Sequence, residues 1–343
     1  MMNGAETYRR IRPRANAPWV AALLGALLLV EAAGAVDLGI LIPLYSYPNW
    51  WQPSTYLWPQ VAQAGARVPI TAIIDPANGP GANFPNIDYQ HGLADLAASG
   101  VKMVGYVYTS YGTRSNALVK GDIDQYTNSP FISGIFVDET ASGTNKLAYY
   151  QDLYTYIHAR TNFTTVIVNP GIQIAQEYIS RPAADTAVIF EYDTGWTNYV
   201  PDVYVTNYPA SRFSMLVYGC AGAETMRTNV DLAVQRNVGW VYVTDDILAN
   251  PWDTIPSYWS NLVDHVAAYR NLRATGIAAT TNSVSLTFST VSNRSARVEW
   301  SSIIPANNWT PATAALLPTG TVLQATDTNR PSGTRFYRLK MLP

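Results

Sequence analysis

The sequence predicts an α/β chain, a (β/α)8 TIM-type barrel followed by a small C-terminal all-β module, and three observations carry that reading. Eight apolar runs recur, each with a segment of loop or helical character after it, and their spacing of roughly 22 to 34 residues suits a strand plus a crossover helix. The runs are continuously apolar and rich in β-branched residues, as strands buried on both faces of a parallel sheet must be. After Arg270 the texture changes to short alternating segments punctuated by Pro, Asn and Gly, the pattern of a small antiparallel module. A doubly wound sheet is the competing arrangement, but no Gly-rich turn follows the first run; Pro43-Leu44-Tyr45 stands there instead.

Residues 1–35 have the layout of a secretory signal peptide. Arg9, Arg10, Arg12 and Arg14 precede an apolar stretch over 19–30, and Ala33-Gly34-Ala35 offers a small-residue cleavage site. The stretch is short for a membrane span and is closed by Glu31. A secreted or extracytoplasmic protein is expected, with no membrane span after the leader is removed.

The barrel is expected over 36–272. Its strands are read at 38–44, 68–74, 101–108, 132–137, 164–168, 187–190, 213–218 and 238–243. Helices are read at 88–99, which stops at Gly100, and at 146–160, where Leu147, Tyr150, Leu153, Tyr154 and Ile157 share one face. Two more are read at 224–236 and 258–270. The β-rich module is expected over 273–343. Its Trp300, Asp327-Thr328-Asn329 and closing Phe336-Tyr337-Arg338-Leu339 resemble small β-domains appended to secreted bacterial proteins.

Composition narrows the chemistry. Charged residues are only 13% of the chain against 48% hydrophobic, the net charge is −2, and no basic stripe follows residue 14, so a nucleic-acid partner is not expected. With 23 Tyr and 10 Trp, the surface suits stacking on sugar rings, whose faces are apolar and whose edges carry hydroxyls. The single Cys220 cannot form an internal disulfide and reads as a small buried residue. His91, His158 and His265 lie far apart, without metal-ligand spacing. No metal or other cofactor is expected, and a monomer is.

In a barrel of this kind the functional face is built by the residues at and just beyond the end of each strand. Here those are Tyr45 and Tyr47, Asp75, Tyr108, Asp138 and Glu139, Asn169, Glu191, Tyr218, then Asp245 and Asp246. Acids and tyrosines dominate, with neither the cations a phosphate would want nor a Schiff-base lysine. Glycosidic cleavage needs such a set: a protonated acid for the leaving oxygen and an ionised partner at the anomeric carbon. Strands four and six supply the same interior layer, so Glu191 can face one of the Asp138/Glu139 pair. Both members reach the site only if the chain turns at Asp138. Asp75, before Pro76, could simply organise a turn, and Asp245-Asp246 could cap the next segment. Trp50 and Trp51 read equally as cleft walls or as helix-packing residues.

The motifs GILIPLY (39–45), IDPANGPG (74–81) and GIFVDE (134–139), with Val168-Asn169-Pro170-Gly171 and Ile189-Phe190-Glu191, resemble spherulation-specific family 4, the spherulin-4-like proteins. The resemblance spans 38 to about 270. It implies a (β/α)8 barrel and, from characterised fungal members, an endo-acting glycoside hydrolase that cuts α-1,4-linked N-acetylgalactosamine in a matrix exopolysaccharide. It also implies that Asp138, Glu139 and Glu191 are the essential acids. The expected roles are Glu191 as nucleophile or stabiliser and Asp138 or Glu139 as acid/base. Tyr45, Asp75, Tyr108, Asn169, Tyr218 and Asp245 are the expected substrate contacts. The rival from another class is a non-catalytic carbohydrate-binding or coat protein on the same scaffold.

Overall fold

A computed structural model of the protein describes residues 37–280, 282–303, 308–329 and 335–342. The leader expected over residues 1–35 lies outside them. Eight strands, β1 (Gly39–Leu44), β2 (Ile70–Ile74), β3 (Lys102–Tyr108), β4 (Ile132–Asp138), β5 (Thr165–Val168), β6 (Thr186–Tyr192), β7 (Phe213–Val217) and β8 (Trp240–Val243), close in chain order into a parallel barrel. Closure is made by β1 against β8, with Gly39 opposite Trp240 and Ile40 opposite Val241. The expected runs fall on these strands within a few residues at each end. Burial of both faces is what made the runs continuous: β1, β2 and β7 are buried at every position.

The outer layer holds α1 (Trp58–Gly65), α2 (Ile87–Ala98), α3 (Asn116–Tyr126), α4 (Leu147–His158), α5 (Glu177–Ser180), α6 (Ala223–Gln235) and α7 (Trp259–Arg270). Helices α1 and α3 lie in stretches that carry no helix expectation from sequence. Helix α3 presents Val119, Ile123 and Tyr126 to the barrel, and Tyr126 reaches it because Gly105 on β3 has no side chain. A Cβ at Gly105 would stand 2.5 Å from the Tyr126 ring. The Tyr126 hydroxyl then donates to the carbonyls of Tyr106, at 2.9 Å, and Ile74, at 3.2 Å, tying the ends of β2 and β3 together.

Between β5 and β7 the helical layer thins. Helix α5 is a single turn, and Arg181 is extended because Pro182 follows it. From β6 to β7 there are only short 3-10 turns at Trp196–Asn198, Val203–Asn207 and Ala210–Arg212. This connection contains Pro201 and Pro209 among β-branched residues, a poor helix sequence. Aromatic rings cover β6 instead: Phe190 packs on Trp196 and Tyr199 at 5.1 and 5.2 Å, with the Arg236 guanidinium over Trp196. Phe190 therefore points outward to this cover, and its neighbour Glu191 points into the barrel.

The C-terminal residues form two three-stranded sheets. One has the order β13 (Val322–Asp327), β10 (Val284–Ser289), β9 (Ala274–Ala279), and the other β12 (Thr310–Pro311), β11 (Ala296–Ser301), β14 (Phe336–Met341). The segments singled out by sequence converge: Asp327 accepts from the Tyr337 hydroxyl at 2.9 Å and pairs with Arg335, whose guanidinium lies over Trp300. Arg294, between β10 and β11, reaches the barrel and pairs with Asp231 and Glu224 of α6. Among the described residues no helix is long and apolar enough to cross a membrane. Cys220 is buried, as its apolar context implied.

Candidate active site

The carboxyl ends of β4, β5 and β6 carry Asp138, Asn169 and Glu191, and the structure brings the three into one hydrogen-bonded group. Asn169 directly follows β5, is buried, and begins Asn169-Pro170-Gly171. Its Oδ1 accepts the Gly171 N–H at 3.0 Å, an Asx turn that fixes which way the amide faces. The Nδ2 side is thereby aimed into the barrel mouth, where it donates to Asp138 Oδ1 at 2.8 Å and to Glu191 Oε2 at 2.5 Å. Sharing one amide nitrogen, Asp138 Oδ1 and Glu191 Oε2 lie no further apart than these two bonds laid end to end, so the carboxyls face one another across the mouth.

Asp138 accepts a second side-chain bond, from the Tyr106 hydroxyl at 2.7 Å. Tyr106 on β3 is stacked beside Phe136 and meets the Tyr45 ring edge-on at 5.8 Å. Burial pushes the Asp138 carboxyl up from its usual range, and the nearby Glu139 charge adds to this. The bonds from Tyr106, the Glu139 N–H and Asn169 pull it back. Glu191 is raised to about 7, first by burial and then by the Asp138 charge, with only the Asn169 bond opposing. The two carboxyls thus sit in different surroundings, with more donors at Asp138 and more isolation at Glu191.

Glu139 takes the left-handed conformation, φ 50°, unusual for a residue with a side chain. The turn considered at Asp138 thus falls one residue later, where β4 has ended. It is held from the neighbouring loop, where the Thr109 hydroxyl and the Tyr111 N–H donate to the Glu139 carbonyl at 2.8 and 2.7 Å. Thr109 is fully buried and also meets the Tyr150 hydroxyl at 3.0 Å. Backbone strain at such a residue costs about 1–3 kcal/mol, and this network maintains it. The Glu139 side chain is half-buried, and its charge is felt by Asp138 and Tyr106.

The remaining expected contacts divide. Tyr45 lies among the acids: burial raises its hydroxyl well above the usual range, and Asp138, Asp75 and Glu191 all contribute. Of the two readings weighed for Asp75, the structure shows the turn. It accepts the Gly79 N–H at 2.7 Å, organising its turn, and it stands close enough to Asp138 for each charge to oppose the other. Burial takes it up to about 6. Tyr108 is opposite Asp138 in the β3–β4 register and lies under the Arg114 guanidinium at 4.3 Å. Arg114 is itself paired with Asp122. Tyr218 packs on Trp252 and Tyr192 beside the mouth. Trp252 is buried, and its carbonyl takes the Tyr45 N–H at 3.2 Å. Asp245 is bound elsewhere: the Ser257 N–H and hydroxyl both donate to it, so it organises the loop before α7. Asp246 likewise holds Thr254 at 2.7 Å. Tyr47 and Trp50 lean on α2, where both donate to Asp88.

Tyr106 and Thr109 were not among the sequence candidates. Tyr106 had a usable signal, because it lies two residues from Tyr108 and so on the same strand face. Thr109 had none; its role depends on a carbonyl in another loop. Among the described residues, no three or more His, Cys, Asp or Glu are grouped so that they could hold a metal ion.

The sequence profile described as spherulation-specific family 4 matches residues 39–266, the whole barrel. Spherulin-4 of Physarum polycephalum is 32% identical over 251 residues, covering 70% of this chain and 73% of that protein. Among solved structures, Aspergillus clavatus Sph3 in complex with GalNAc superposes with a TM-score of 0.57 at 24% identity, covering 68% of this chain and 98% of that one. That likeness bears on the fold. The matched profile and the Physarum relative establish the lineage: this chain belongs to spherulation-specific family 4.

Proposed function

We propose that the protein is an endo-acting glycoside hydrolase of an amino-sugar exopolysaccharide containing N-acetylgalactosamine, and that it works outside the cytoplasm. The observation that carries this reading is the pair Asp138 and Glu191 facing each other on one Asn169 amide, with unequal surroundings, and double displacement is the mechanism we assign to it. The substrate class rests on the family and on the Aspergillus relative, whose structure holds GalNAc. The leader expected over residues 1–35 supports export.

The hydrogen bonding favours the reverse of the roles expected from sequence. Asp138, with the Tyr106 and Asn169 donors, is the better-stabilised anion and serves as nucleophile. Glu191, isolated and raised to about 7, keeps a proton near neutrality and serves as acid. In the first step an Asp138 oxygen bonds to the anomeric carbon while the glycosidic C–O bond breaks, and the Glu191 proton goes to the leaving oxygen. In the second step the Glu191 carboxylate takes a proton from water, whose oxygen displaces Asp138 and restores both groups. Glu139 contributes its charge beside the nucleophile.

The test is reducing-end release from a panel of α-1,4-linked amino-sugar polymers. The native protein should cleave at least one internally, and D138N and E191Q should each lose about 10²–10⁴-fold in turnover. Oligosaccharide binding without any reducing ends from the native protein would instead identify a non-catalytic carbohydrate-binding protein.

A further inference from the structure

We infer that Trp51, with Trp50 and Tyr47, forms a rigid platform for a pyranose ring of the same polysaccharide outside the cleavage point, assembled by Asp88. The inference rests on the proposed carbohydrate substrate and adds a separate binding position to it.

The platform is exposed yet ordered. Trp51, Trp50 and Tyr47 are 50%, 41% and 44% exposed, a concentration of apolar rings that burial in the core does not explain. Their arrangement is nevertheless fixed. The Tyr47 hydroxyl donates to Asp88 Oδ2 at 2.6 Å and the Trp50 indole N–H donates to Asp88 Oδ1 at 3.1 Å. One carboxylate in the first turn of α2 thus orients two rings, where the helix dipole also favours its charge. Trp50 stacks on His91 of α2 at 4.7 Å and 10°, which covers one of its faces. Trp51 stands edge-to-face against Tyr47, at 6.2 Å, and Trp50, at 6.0 Å. Trp50 and Tyr47 are thus tied to α2, whereas Trp51 stands against those two rings and is half exposed.

The loop beneath is pinned as well. The Trp58 indole N–H donates to the Ser46 carbonyl at 3.0 Å. Pro48 and Trp58 lie against Gly92 of α2 so closely that a Cβ there would come within 2.8 and 2.6 Å of them. A pre-ordered aromatic face loses little freedom when a ligand stacks on it.

The occupant is argued from continuity with the acid cluster. Tyr47 lies two residues beyond Tyr45, so their Cα atoms are at most about 7 Å apart, and Tyr45 meets Tyr106, the donor to Asp138. A sugar chain threaded past Tyr45 would reach the platform within a few residues. The rings offer it an apolar face, and the indole N–H of the half-exposed Trp51 can donate to a hydroxyl or acetamido oxygen.

Two measurements test this with graded oligomers of α-1,4-linked N-acetylgalactosamine. The first is affinity for E191Q by calorimetry, with and without W51A. Affinity of E191Q should rise with length until an oligomer spans both positions, and W51A should remove about tenfold of the long-oligomer affinity, while W51F keeps most of it. The second is the ratio of kcat/KM on long to short oligomers, which W51A and D88A should each lower by a similar factor. Equal weakening at every length, or none, overturns the platform even if hydrolysis is confirmed. Conversely, length-dependent binding lost in W51A while the native protein releases no reducing ends supports the platform and rejects the hydrolase reading.

Discussion

Asp138 and Glu191, which are 53 positions apart by their residue numbers, share a single hydrogen-bond donor, the Nδ2 amide of Asn169. Two carboxyls that close cannot readily both be ionised, and the amide lowers the energy of whichever charge is present. Asn169 is therefore a positioning residue for the pair. N169A should lower kcat by about 10–100-fold and also displace the pH profile, because both carboxyls lose a bond that holds them down. A loss of kcat with an unmoved profile would leave Asn169 a packing role only.

Tyr106 acts on Asp138 alone. Y106F keeps the ring against Phe136 and Tyr45 but removes the donor to Asp138 Oδ2. The Asp138 carboxyl should then rise further, so the acidic limb of kcat/KM moves to higher pH and kcat falls by about tenfold. The basic limb, set by Glu191, should move less.

The native profile is set by the same groups. As the acid, Glu191 must be protonated, so kcat/KM should decline as pH rises through about 7. Asp138 must be ionised, so activity should also fall on the acid side. A slightly acidic optimum is expected, and pH-rate profiles of the free enzyme check it.

Glu191 also links pH to stability. Its carboxyl sits near 7 in the fold against an ordinary 4.5, so between those values the folded state binds more proton than the unfolded chain. The stabilisation from that bound proton is lost as pH rises through about 7. E191Q has no such titration. Its advantage in unfolding free energy over the native protein should grow between pH 5 and 8 by on the order of 2 kcal/mol. Urea titrations of both proteins at the two pH values measure it.

Arg294 joins the β module to the barrel. Asp231 already holds the His265 ring at 2.7 Å and the Tyr269 hydroxyl at 2.7 Å, and Arg294 supplies its cation. R294A would leave that carboxylate largely buried without it, costing on the order of 2 kcal/mol because Arg294 keeps some solvent contact. Limited proteolysis should then cut more readily between α7 and β9, while turnover on short oligomers stays near the native value.

The strands, the closing order of the barrel and the acids at the ends of β4 and β6 were all legible along the chain. A strand covered on both faces must be apolar throughout, and a carboxylate after such a run stands out locally. The alternating segments after Arg270 declared the β module for a related reason, since β10 and β13 each bury one side and turn the other outward. The thin cover between β6 and β7 was less legible, because rings such as Trp196 and Tyr199 do the work of a helix without its periodicity. The partner of each polar group was decided only by the tertiary structure. Asp245 and Glu191 look alike as acids at strand ends, yet Ser257 takes one, while Asn169 sets the other beside Asp138. Tyr47 and Trp50, in the loop after β1, become one platform because Asp88 enters from α2. Periodicity records which side of an element is buried, whereas a hydrogen bond depends on where two distant strand ends meet, and that is settled only when the barrel closes.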